Sequence, residues 1–295
     1  MRIAVLGMGR MGHAVAGRLV DGGHDVTVWN RSPGKADSIV SKGASKAQTP
    51  AGAAAGAEVV VTSLADDAAV LDVVRGEAAD DSSGLLGAFE ENSGSILVDM
   101  STVSPETAEA LAELAHGRSL ASPILGAPGA VAAGEAVYLV SGPKPCHDAA
   151  SQMFATLSER VQYLGEDVKS ALQLKLLANY LLLSAVAVLG EIIPVAQAVG
   201  LPEDVLRGFL ESSPLVAPAL RNRLEALLSG KHEGWFTTTL GAKDTRLAEE
   251  LAMRQGLRLP VADLVKRRYE EAAAAGYADA DLTAVIELVR GQLAT

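Results

Sequence analysis

The sequence predicts an α/β fold in its first half and an all-helical region in its second half. In the first half, short apolar runs of strand type alternate with helical segments, and a glycine-rich turn follows the first run. Beyond about residue 165 the strand patterns stop, and helical periodicity continues to the end of the chain. Such alternation is typical of a parallel sheet with helices on both faces. We therefore expect two domains, residues 1–165 and 166–295, joined by a long helix.

Length, charge and cysteine content narrow the class of protein. With 295 residues, the chain is long enough for two domains and a large core. A net charge of −11 argues against a nucleic-acid partner, because neutralising phosphates requires a basic surplus. A single cysteine, Cys146, excludes an internal disulfide, and no signal-peptide pattern precedes the first strand, so we expect a cytoplasmic protein. The histidines show no metal-ligand spacing, and we expect no metal site.

The most specific motif lies at the start of the chain. The run Arg2–Leu6 has strand character, and it is followed by a helical segment and a second strand, Asp25–Trp29. Between the first strand and the helix lies a GxGxxG turn with the sequence Gly7-Met8-Gly9-Arg10-Met11-Gly12. In such a turn the first glycine permits the tight bend, the second lets the backbone approach a pyrophosphate, and the third allows close helix packing. The helix N-terminus offers N–H groups and a positive dipole end to the phosphates. The pattern therefore predicts a doubly wound Rossmann sheet whose opening turn, residues 7–12, binds a dinucleotide.

The residues that follow the second strand predict which dinucleotide is bound. NAD-binding units place Asp or Glu here for the ribose 2′-hydroxyl, whereas this chain has Asn30, Arg31 and Ser32. Arg31 can pair with a 2′-phosphate instead, and Ser32 and Lys35 are close enough in sequence to contribute. The alternative interpretation is an arginine in an exposed turn without a ligand. The missing acid favours NADP as the cofactor, with contacts from these four residues.

Further contacts are predicted at the carboxyl ends of two later strands. Glu58–Ser63 and Ser95–Met100 have the pattern of buried parallel strands, and ligands bind in the crevice outside the carboxyl ends of such strands. The residues expected to contact the cofactor here are Leu64, Ala65, Val70 and Thr102. Ser101 is expected to contact the substrate. For the Thr102 hydroxyl, capping of the next helix is the alternative role.

A long apolar stretch, Lys169–Gly200, carries the candidate catalytic residues. Its composition favours a helix, and because it is apolar on nearly every side, we expect the helix to be buried. Lys175 and Asn179 interrupt the apolar run one helical turn apart, which places them on one face. A buried lysine must be neutral or partnered, so this pair is a candidate for chemistry. From this stretch alone, a membrane span and a lysine that snorkels to the surface are alternatives.

Four segments together resemble the NAD(P)-dependent β-hydroxyacid dehydrogenases, the family that includes 3-hydroxyisobutyrate dehydrogenase and glyoxylate/succinic semialdehyde reductases. The similar segments are the GxGxMG turn Gly7–Gly12, the DxST segment Val98–Pro105, the Lys-x-x-x-Asn segment Lys175–Asn179 and the KDxxLA segment Gly241–Ala248. The resemblance implies that Lys175 is catalytic and that Thr102 and Lys243 contact the cofactor. It also implies a homodimer or a larger homo-oligomer, to which apolar stripes in the C-terminal helices could contribute.

The predicted substrate loop departs from the pattern of this family. The family usually has Asp-x-Pro-Val-Ser-Gly-Gly, in which Ser helps to bind a substrate carboxylate, and this chain has Ala121-Ser-Pro-Ile-Leu-Gly-Ala127. A leucine stands in place of that Ser, and its side chain cannot donate a hydrogen bond but favours an apolar part of the substrate. The expected substrate contacts are Ser101, Leu125, Gly126, Ala127 and Trp235. Imine reductases share the architecture and replace the catalytic lysine, so Lys175 argues against that branch while Leu125 leaves it open.

The candidate residues predict a mechanism. Hydride transfer to a carbonyl leaves an alkoxide, which the Lys175 ammonium can protonate as a general acid, with the reverse role in oxidation. We expect burial to lower the pKa of this lysine toward neutrality. Asn179 either orients the lysine, binds the substrate or makes a hydrogen bond within the core. Three functions remain open: an NADPH-dependent oxidoreductase of carbonyls or hydroxyacids, an imine reductase, and a non-catalytic nucleotide-binding scaffold. We expect a small-molecule substrate and no insertion into a membrane.

Overall fold

The computed structural model of the protein describes residues 1–32, 34–76, 84–92 and 94–293. It divides into two compact units, Met1–Lys175 and Leu176–Thr295. The expected domain boundary at residue 166 lies before the long helix, whereas the division between the compact units falls inside that helix, which spans Ser170–Ala198. Each unit has hydrophobic clusters of its own.

The described strands all lie in the first unit, where they form two sheets. The strands are β1 (Arg2–Leu6), β2 (Asp25–Trp29), β3 (Ser45–Lys46), β4 (Val59–Thr62), β5 (Ile96–Asp99), β6 (Ser119–Ala121), β7 (Ile124–Leu125), β8 (Val137–Val140) and β9 (Val161–Tyr163). Six of them form a sheet in the order β3-β2-β1-β4-β5-β6, and every pair in it is parallel. The strand order reverses between β1 and β4, and a ligand crevice is expected at the carboxyl ends of these two strands.

The smaller sheet has the order β7-β8-β9. In it β7 is antiparallel to β8, and β8 is parallel to β9.

Helices cover both faces of the large sheet. The helices that begin in this unit are α1 (Arg10–Asp21), α2 (Asp37–Val40), α3 (Pro50–Ala54), α4 (Asp67–Arg75), α5 (Leu85–Glu91), α6 (Pro105–Leu114), α7 (Pro128–Ala133), α8 (Lys144–Ala149), α9 (Ser151–Leu157) and α10 (Ser170–Ala198). Strand β1 has apolar side chains on both faces of the sheet, so both faces must be shielded from water. Ile3 and Val5 pack into one hydrophobic cluster, whereas Ala4 and Leu6 pack into a second cluster on the other face.

The second unit consists of helices. They are α11 (Glu203–Ser212), α12 (Pro218–Arg221), α13 (Leu224–Ser229), α14 (Thr238–Arg254), α15 (Pro260–Ala272), a π-helical turn at Ala273–Tyr277, a 3₁₀ helix at Leu282–Ile286 and α16 (Glu287–Leu293). The core of this unit contains Leu183, Leu227, Tyr269 and Ile286, each with no exposed surface. Gly241 lets α14 pack closely, because an added Cβ would lie 3.0 Å from a methyl carbon of Leu183.

The expected fold class is confirmed, while the segment from residue 120 to 130 corrects one local expectation. This segment contains the predicted substrate loop, and its glycines and prolines favour irregular structure. Instead, β6 pairs with β5, β7 pairs with β8, and α7 begins at Pro128. The residues of β6 are all buried, and proline is well suited to the first turn of a helix because its missing N–H needs no partner there. Regular structure thus extends through the predicted substrate loop.

Two buried tyrosines give a matched test of this packing. Tyr269 and Tyr138 both have no exposed surface. The Tyr269 hydroxyl donates to the carbonyl of Leu183 at 3.0 Å, whereas the Tyr138 hydroxyl has no hydrogen-bond partner among the described residues. We expect Tyr269→Phe to lower the free energy of unfolding by about 1 kcal/mol, because a buried hydrogen bond is lost, although the Leu183 carbonyl remains an acceptor within α10. Tyr138→Phe should be neutral or stabilising in the same denaturant titration, and an equal loss in both variants would contradict this account.

Candidate functional site

The glycine turn after β1 is built by close backbone approaches. Gly7 has a φ of +100°, and a Cβ added to it would lie 2.3 Å from the carbonyl oxygen of Ser63. A Cβ on Gly12 would lie 1.9 Å from the carbonyl oxygen of Gly7. At Gly9, by contrast, no atom lies within 4 Å of an added Cβ. Gly7 and Gly12 are therefore required by the fold, while Gly9 leaves open space where a phosphate group can approach the backbone.

Asn30 fixes the shape of this turn. Its Oδ1 accepts a hydrogen bond from the Met8 N–H at 2.8 Å, and its Nδ2 donates to the Ser32 carbonyl at 2.9 Å. The Gly7 N–H donates to the Trp29 carbonyl at 2.9 Å. The expected contact of Asn30 with the cofactor stays a prediction, and the structure shows that Asn30 joins the turn to the end of β2.

The N-terminus of α1 is suited to binding an anion. Its first turn contains no acidic residue, and Gly9 at the N-cap position provides no side-chain hydrogen bond. Helix N–H groups that lack such a cap can bind phosphate oxygens. A cavity of about 490 Å³ runs along one side of α1, and its lining extends from Met8, Gly9 and Arg10 to Asp21 at the other end of the helix. The shape and the donors of the turn thus fit the pyrophosphate of a dinucleotide.

The residues predicted to bind a 2′-phosphate lie at the carboxyl end of β2. Arg31, Ser32 and Lys35 are all exposed. Arg31 follows Asn30, so the network that shapes the glycine turn also determines where the backbone of Arg31 lies. An exposed guanidinium at this point suits a phosphate ligand better than a ribose hydroxyl.

A buried carboxylate connects the ends of β4 and β5. Asp99 is 2% exposed, and its Oδ1 accepts hydrogen bonds from the Thr62 hydroxyl at 2.7 Å and from the Ser101 N–H at 3.1 Å. Burial raises the pKa of Asp99, although these hydrogen bonds oppose the shift. The Ser101 hydroxyl oxygen in turn accepts from the Leu64 N–H at 2.9 Å. Ser101, expected to bind substrate, is buried and joins two loops at the edge of the sheet, and a substrate contact from it stays a prediction.

The other predicted residues of this edge divide into two groups. Leu64 and Thr102 are half-buried and Ala65 is exposed, which is compatible with contact to a ligand. Val70 has no exposed surface and packs in the hydrophobic core. Its expected cofactor contact is therefore corrected to a packing role, because the helical periodicity of α4 turns this position toward the sheet. Met11 is half-buried and packs against the core of the first unit.

Lys175 is buried and has a defined partner. The residue is only 9% exposed, and its Nζ donates a hydrogen bond to the carbonyl oxygen of Ile124 at 2.7 Å. A snorkelling lysine would place its ammonium group in water, so this alternative is wrong. Ile124 begins β7, and Leu125 follows it with a half-buried side chain. The structure therefore places the candidate acid directly beside the loop that was predicted to contact the substrate.

The remaining residues of that loop are shaped by α7. Gly126 has a φ of +152°, and an added Cβ would lie 3.1 Å from the Cβ of Ala136. Ala127 is the half-buried N-cap residue of α7. Residues 124–127 therefore provide no charged side chain for contact with a substrate.

In the second unit, Asp244 links two of the predicted site residues. The Asn179 amide donates from Nδ2 to Asp244 Oδ2 at 2.6 Å, and Lys243 Nζ lies 3.0 Å from Asp244 Oδ1. Asp244 is only 2% exposed. The sequence did contain a signal for its burial. The buried residues Gly241, Asp244, Thr245 and Ala248 follow the spacing of one face of α14.

Trp235 also lies in the second unit, where it packs on a buried arginine. The guanidinium carbon of Arg223 is 4.8 Å from the centre of the Trp235 ring, and Arg223 Nε is 3.9 Å from Asp281 Oδ1. Burial lowers the pKa of Arg223, and the charge of Asp281 opposes that shift. Trp235 is half-buried, so part of its surface remains available to a ligand. Among the residues that the structure describes, no group of three or more His, Cys, Asp and Glu side chains could hold a metal ion.

Two family models match the chain over nearly its whole length. Residues 2–165 match the NAD-binding domain of 6-phosphogluconate dehydrogenase, and residues 169–289 match the NAD-binding region of NADP-dependent 3-hydroxyisobutyrate dehydrogenase. The two matches cover the units that carry the glycine turn and the Asn179–Asp244 pair.

Curated relatives agree with these matches. An uncharacterised oxidoreductase of Bacillus subtilis, YfjR, is 36% identical over 297 residues, which cover 98% of this chain and 100% of the relative. Glyoxylate/succinic semialdehyde reductase 1 of Arabidopsis thaliana is 30% identical over 293 residues, with 98% and 99% coverage.

Solved structures with the same fold include dehydrogenases and imine reductases. The 3-hydroxyisobutyrate dehydrogenase of Salmonella typhimurium superposes with a TM-score of 0.88 at 20% identity, covering 98% of this chain and 99% of that chain. Psf3, solved with NADP+ and 2-OPP, has a TM-score of 0.88 at 25% identity, with 97% and 99% coverage. An imine reductase from Pseudomonas sp. has a TM-score of 0.65 at 21% identity, with 97% and 98% coverage.

Proposed function

Because the chain belongs to the NAD(P)-dependent 3-hydroxyisobutyrate dehydrogenase family of oxidoreductases, we propose that it transfers a hydride between NADPH and a carbonyl or hydroxyacid carbon. The observation that carries this proposal is the buried Lys175, whose ammonium group is fixed by the Ile124 carbonyl beside the predicted substrate loop. A lysine without a chemical task is rarely placed in such an environment, because burying a charged amine is costly.

In this proposal Lys175 moves the proton that accompanies the hydride. When bound, the dinucleotide supplies or accepts the hydride. In reduction, Lys175 Nζ donates a proton to the oxygen of the former carbonyl, and in oxidation the neutral amine accepts the proton of the hydroxyl group. The hydrogen bond to Ile124 holds Nζ in place, so that less freedom is lost in reaching the reactive geometry.

Asn179 and Asp244 have a supporting part in this mechanism. Because Asp244 Oδ2 accepts a hydrogen bond from Asn179 Nδ2, the amide orientation is fixed and its oxygen is directed away from the carboxylate. Asn179 then presents a hydrogen-bond acceptor of defined position one helical turn beyond Lys175. We propose that this oxygen binds a donor group of the substrate or of the lysine.

The cofactor is proposed to be NADP. The exposed Arg31 at the end of β2 stands where NAD-binding units have a carboxylate, and Ser32 and Lys35 add a hydroxyl and a second cation. Psf3, which was solved with NADP+, has the same fold. Lys243, ion-paired with Asp244 in the second unit, is the further cofactor contact that the family resemblance implies.

Removing the lysine tests the mechanism. We expect Lys175→Ala to bind NADPH as the wild type does and to lose turnover by about 10³-fold or more, because general acid–base catalysis and charge stabilisation are lost together. Lys169→Ala is the matched control. Lys169 lies just before α10 and pairs with Glu109 on the surface, so its removal should leave turnover unchanged.

Two measurements decide the outcome: NADPH oxidation at saturating substrate, and the dissociation constant of NADPH from quenching of protein fluorescence. Turnover of Lys175→Ala within a few-fold of the wild type would remove Lys175 from the mechanism. A loss of NADPH binding in this variant would indicate a structural defect instead.

Cofactor preference tests the role of Arg31. We expect the wild type to use NADPH in preference to NADH, and Arg31→Ala to raise the KM for NADPH about 10- to 100-fold, because a charge-assisted pair with the 2′-phosphate is lost. The KM for NADH should change little in the same variant. A wild type that prefers NADH would overturn the assignment of the 2′-phosphate site.

An imine reductase is the second candidate function. Two observations favour it. Leu125 places an apolar side chain next to Ile124, whose carbonyl accepts the hydrogen bond from Lys175, and imine reductases share the fold. NADPH consumption measured in parallel with semialdehydes, glyoxylate and cyclic imines separates the two reactions. Turnover of imines alone would favour this second function, and binding of NADPH without any turnover would favour a non-catalytic scaffold.

We also propose that the protein forms a homodimer through α10. The exposed residues Leu177, Leu181, Val188, Ile192 and Val195 follow helical spacing and form one apolar face, which we call the α10 face. The apolar stripes of the C-terminal helices were also expected to contribute to subunit association. They lie near residues 247–251 and 282–288 and are largely buried, with Leu247, Leu282 and Ile286 in the core.

A second copy suits the α10 face better than a membrane does. By length and hydropathy, α10 is the one described helix that could cross a membrane, but only one of its faces is exposed and apolar, and it buries the polar Asn179. We expect light scattering to give the mass of a dimer, and Leu181→Asp with Val188→Asp to give a monomer. Leu257→Asp, which changes an exposed leucine elsewhere, should remain a dimer, and a monomeric wild type would contradict the proposal.

A further inference from the structure

Asp67 ties together the two helices that follow β4 and β5. It is the first residue of α4, and its Oδ1 alone accepts hydrogen bonds from the Ser104 N–H at 2.8 Å, the Ser104 hydroxyl at 2.5 Å and the Thr107 hydroxyl at 2.7 Å. Ser104 is the N-cap residue of α6 and Thr107 lies in its first turn. One carboxylate oxygen thus joins the N-terminus of α4 to that of α6.

Neither helix needs this link for its own cap. In α4, Asp66 at the N-cap accepts from the Ala69 N–H at 2.9 Å. In α6, the Ser104 hydroxyl accepts from the Thr107 N–H at 3.2 Å. Each helix therefore has a side-chain cap of its own without Asp67, and what Asp67 adds is a bridge between the two helices.

The bridge lies beside the residues predicted to contact the cofactor. The loop that leads to Asp67 packs on the glycine turn, since a Cβ on Gly7 would lie 2.3 Å from the Ser63 carbonyl oxygen and 2.8 Å from a methyl carbon of Leu64. The Leu64 N–H donates to the Ser101 hydroxyl, which forms a first link between the loops. Asp67 forms the second link, and the segment with Thr102 runs between them.

The hydrogen bonds also keep Asp67 ionised. Burial by itself would favour the protonated carboxyl group, but the hydrogen bonds from Ser104 and Thr107 outweigh it and lower the pKa of Asp67. An ionised carboxylate makes stronger hydrogen bonds than a neutral group of the same shape, so the bridge is at its strongest near neutral pH.

We propose that Asp67 is a positioning residue for dinucleotide binding, which holds the Leu64–Ala65 loop and Thr102 in the geometry that the cofactor requires. The inference rests on the proposed function, because it assigns these two loops to the NADP site. Asp67 acts here through its neighbours and not by touching the reacting atoms.

The test compares two adjacent acids. We expect Asp67→Ala to raise the dissociation constant of NADP+ about 10- to 100-fold, because a charged acceptor of the bridge is lost, while kcat at saturating NADPH stays within about twofold of the wild type. Asp67→Asn keeps an acceptor oxygen and should show a smaller increase. Asp66→Asn is the control, since asparagine caps a helix as well as aspartate, and it should bind NADP+ like the wild type.

A second variant keeps the test decisive if Asp67→Ala does not fold. Thr107→Val removes one donor of the bridge at nearly constant volume, and it should raise the NADP+ dissociation constant severalfold without a change in kcat. Where Asp67→Ala does fold, adding Thr107→Val to it should have no further effect, because the Thr107 hydroxyl has already lost its acceptor.

The outcomes separate the inference from the function on which it rests. A wild type that binds NADP+ together with an Asp67→Ala variant that binds it within twofold overturns the inference alone. An equal rise in Asp66→Asn would also overturn it, since it would assign the effect to helix capping. A wild type that binds no dinucleotide would overturn the proposed function itself.

Discussion

The close contact between the glycine turn and the end of β4 is the constraint on which the rest of the first unit depends. Carbonyl oxygens of Ser63 and Gly7 occupy the space that Cβ atoms of Gly7 and Gly12 would need. This approach brings the N-terminus of α1 to the point where the strand order reverses, and it leaves N–H groups without side-chain caps there. A larger residue at either position would separate strand, helix and loop, and the phosphate site would disappear with them.

The contacts around this turn form a second level of organisation. Asn30 joins the turn to β2, Ser101 joins the β4 loop to the β5 loop, and Asp67 joins the helices that follow these two loops. Each link has one partner in a backbone N–H group, so it fixes the main chain rather than only a side chain. The crevice is therefore defined by main-chain geometry, which suits a site that must bind the same dinucleotide in every catalytic cycle.

Sequence reasoning was most successful where the information is local. The GxGxxG turn, the strands β1 and β2, and the helix with Lys175 could be predicted because spacing along the chain determines them. It was least successful where a partner is distant in sequence. Asp244 pairs with Asn179, which is 65 residues away, and no local pattern names that partner even though helix periodicity indicates burial. The segment of β6, β7 and α7 was missed because pairing with β5 and β8 outweighs its glycine and proline content.

Asp99 and Asp67 show how the same edge of the sheet can hold two acids near a polyanionic ligand. Asp99 ends β5, Asp67 begins the helix that follows the neighbouring strand β4, and their pKa values shift in opposite directions. For Asp99 burial dominates and favours the protonated form, whereas for Asp67 the donors of Ser104 and Thr107 dominate and favour the anion. The charge of Asp67 also adds to the rise in the pKa of Asp99. The hydrogen bonds that lower the pKa of Asp67 therefore keep the bridge between α4 and α6 at full strength, while burial of Asp99 opposes a second negative charge at this edge.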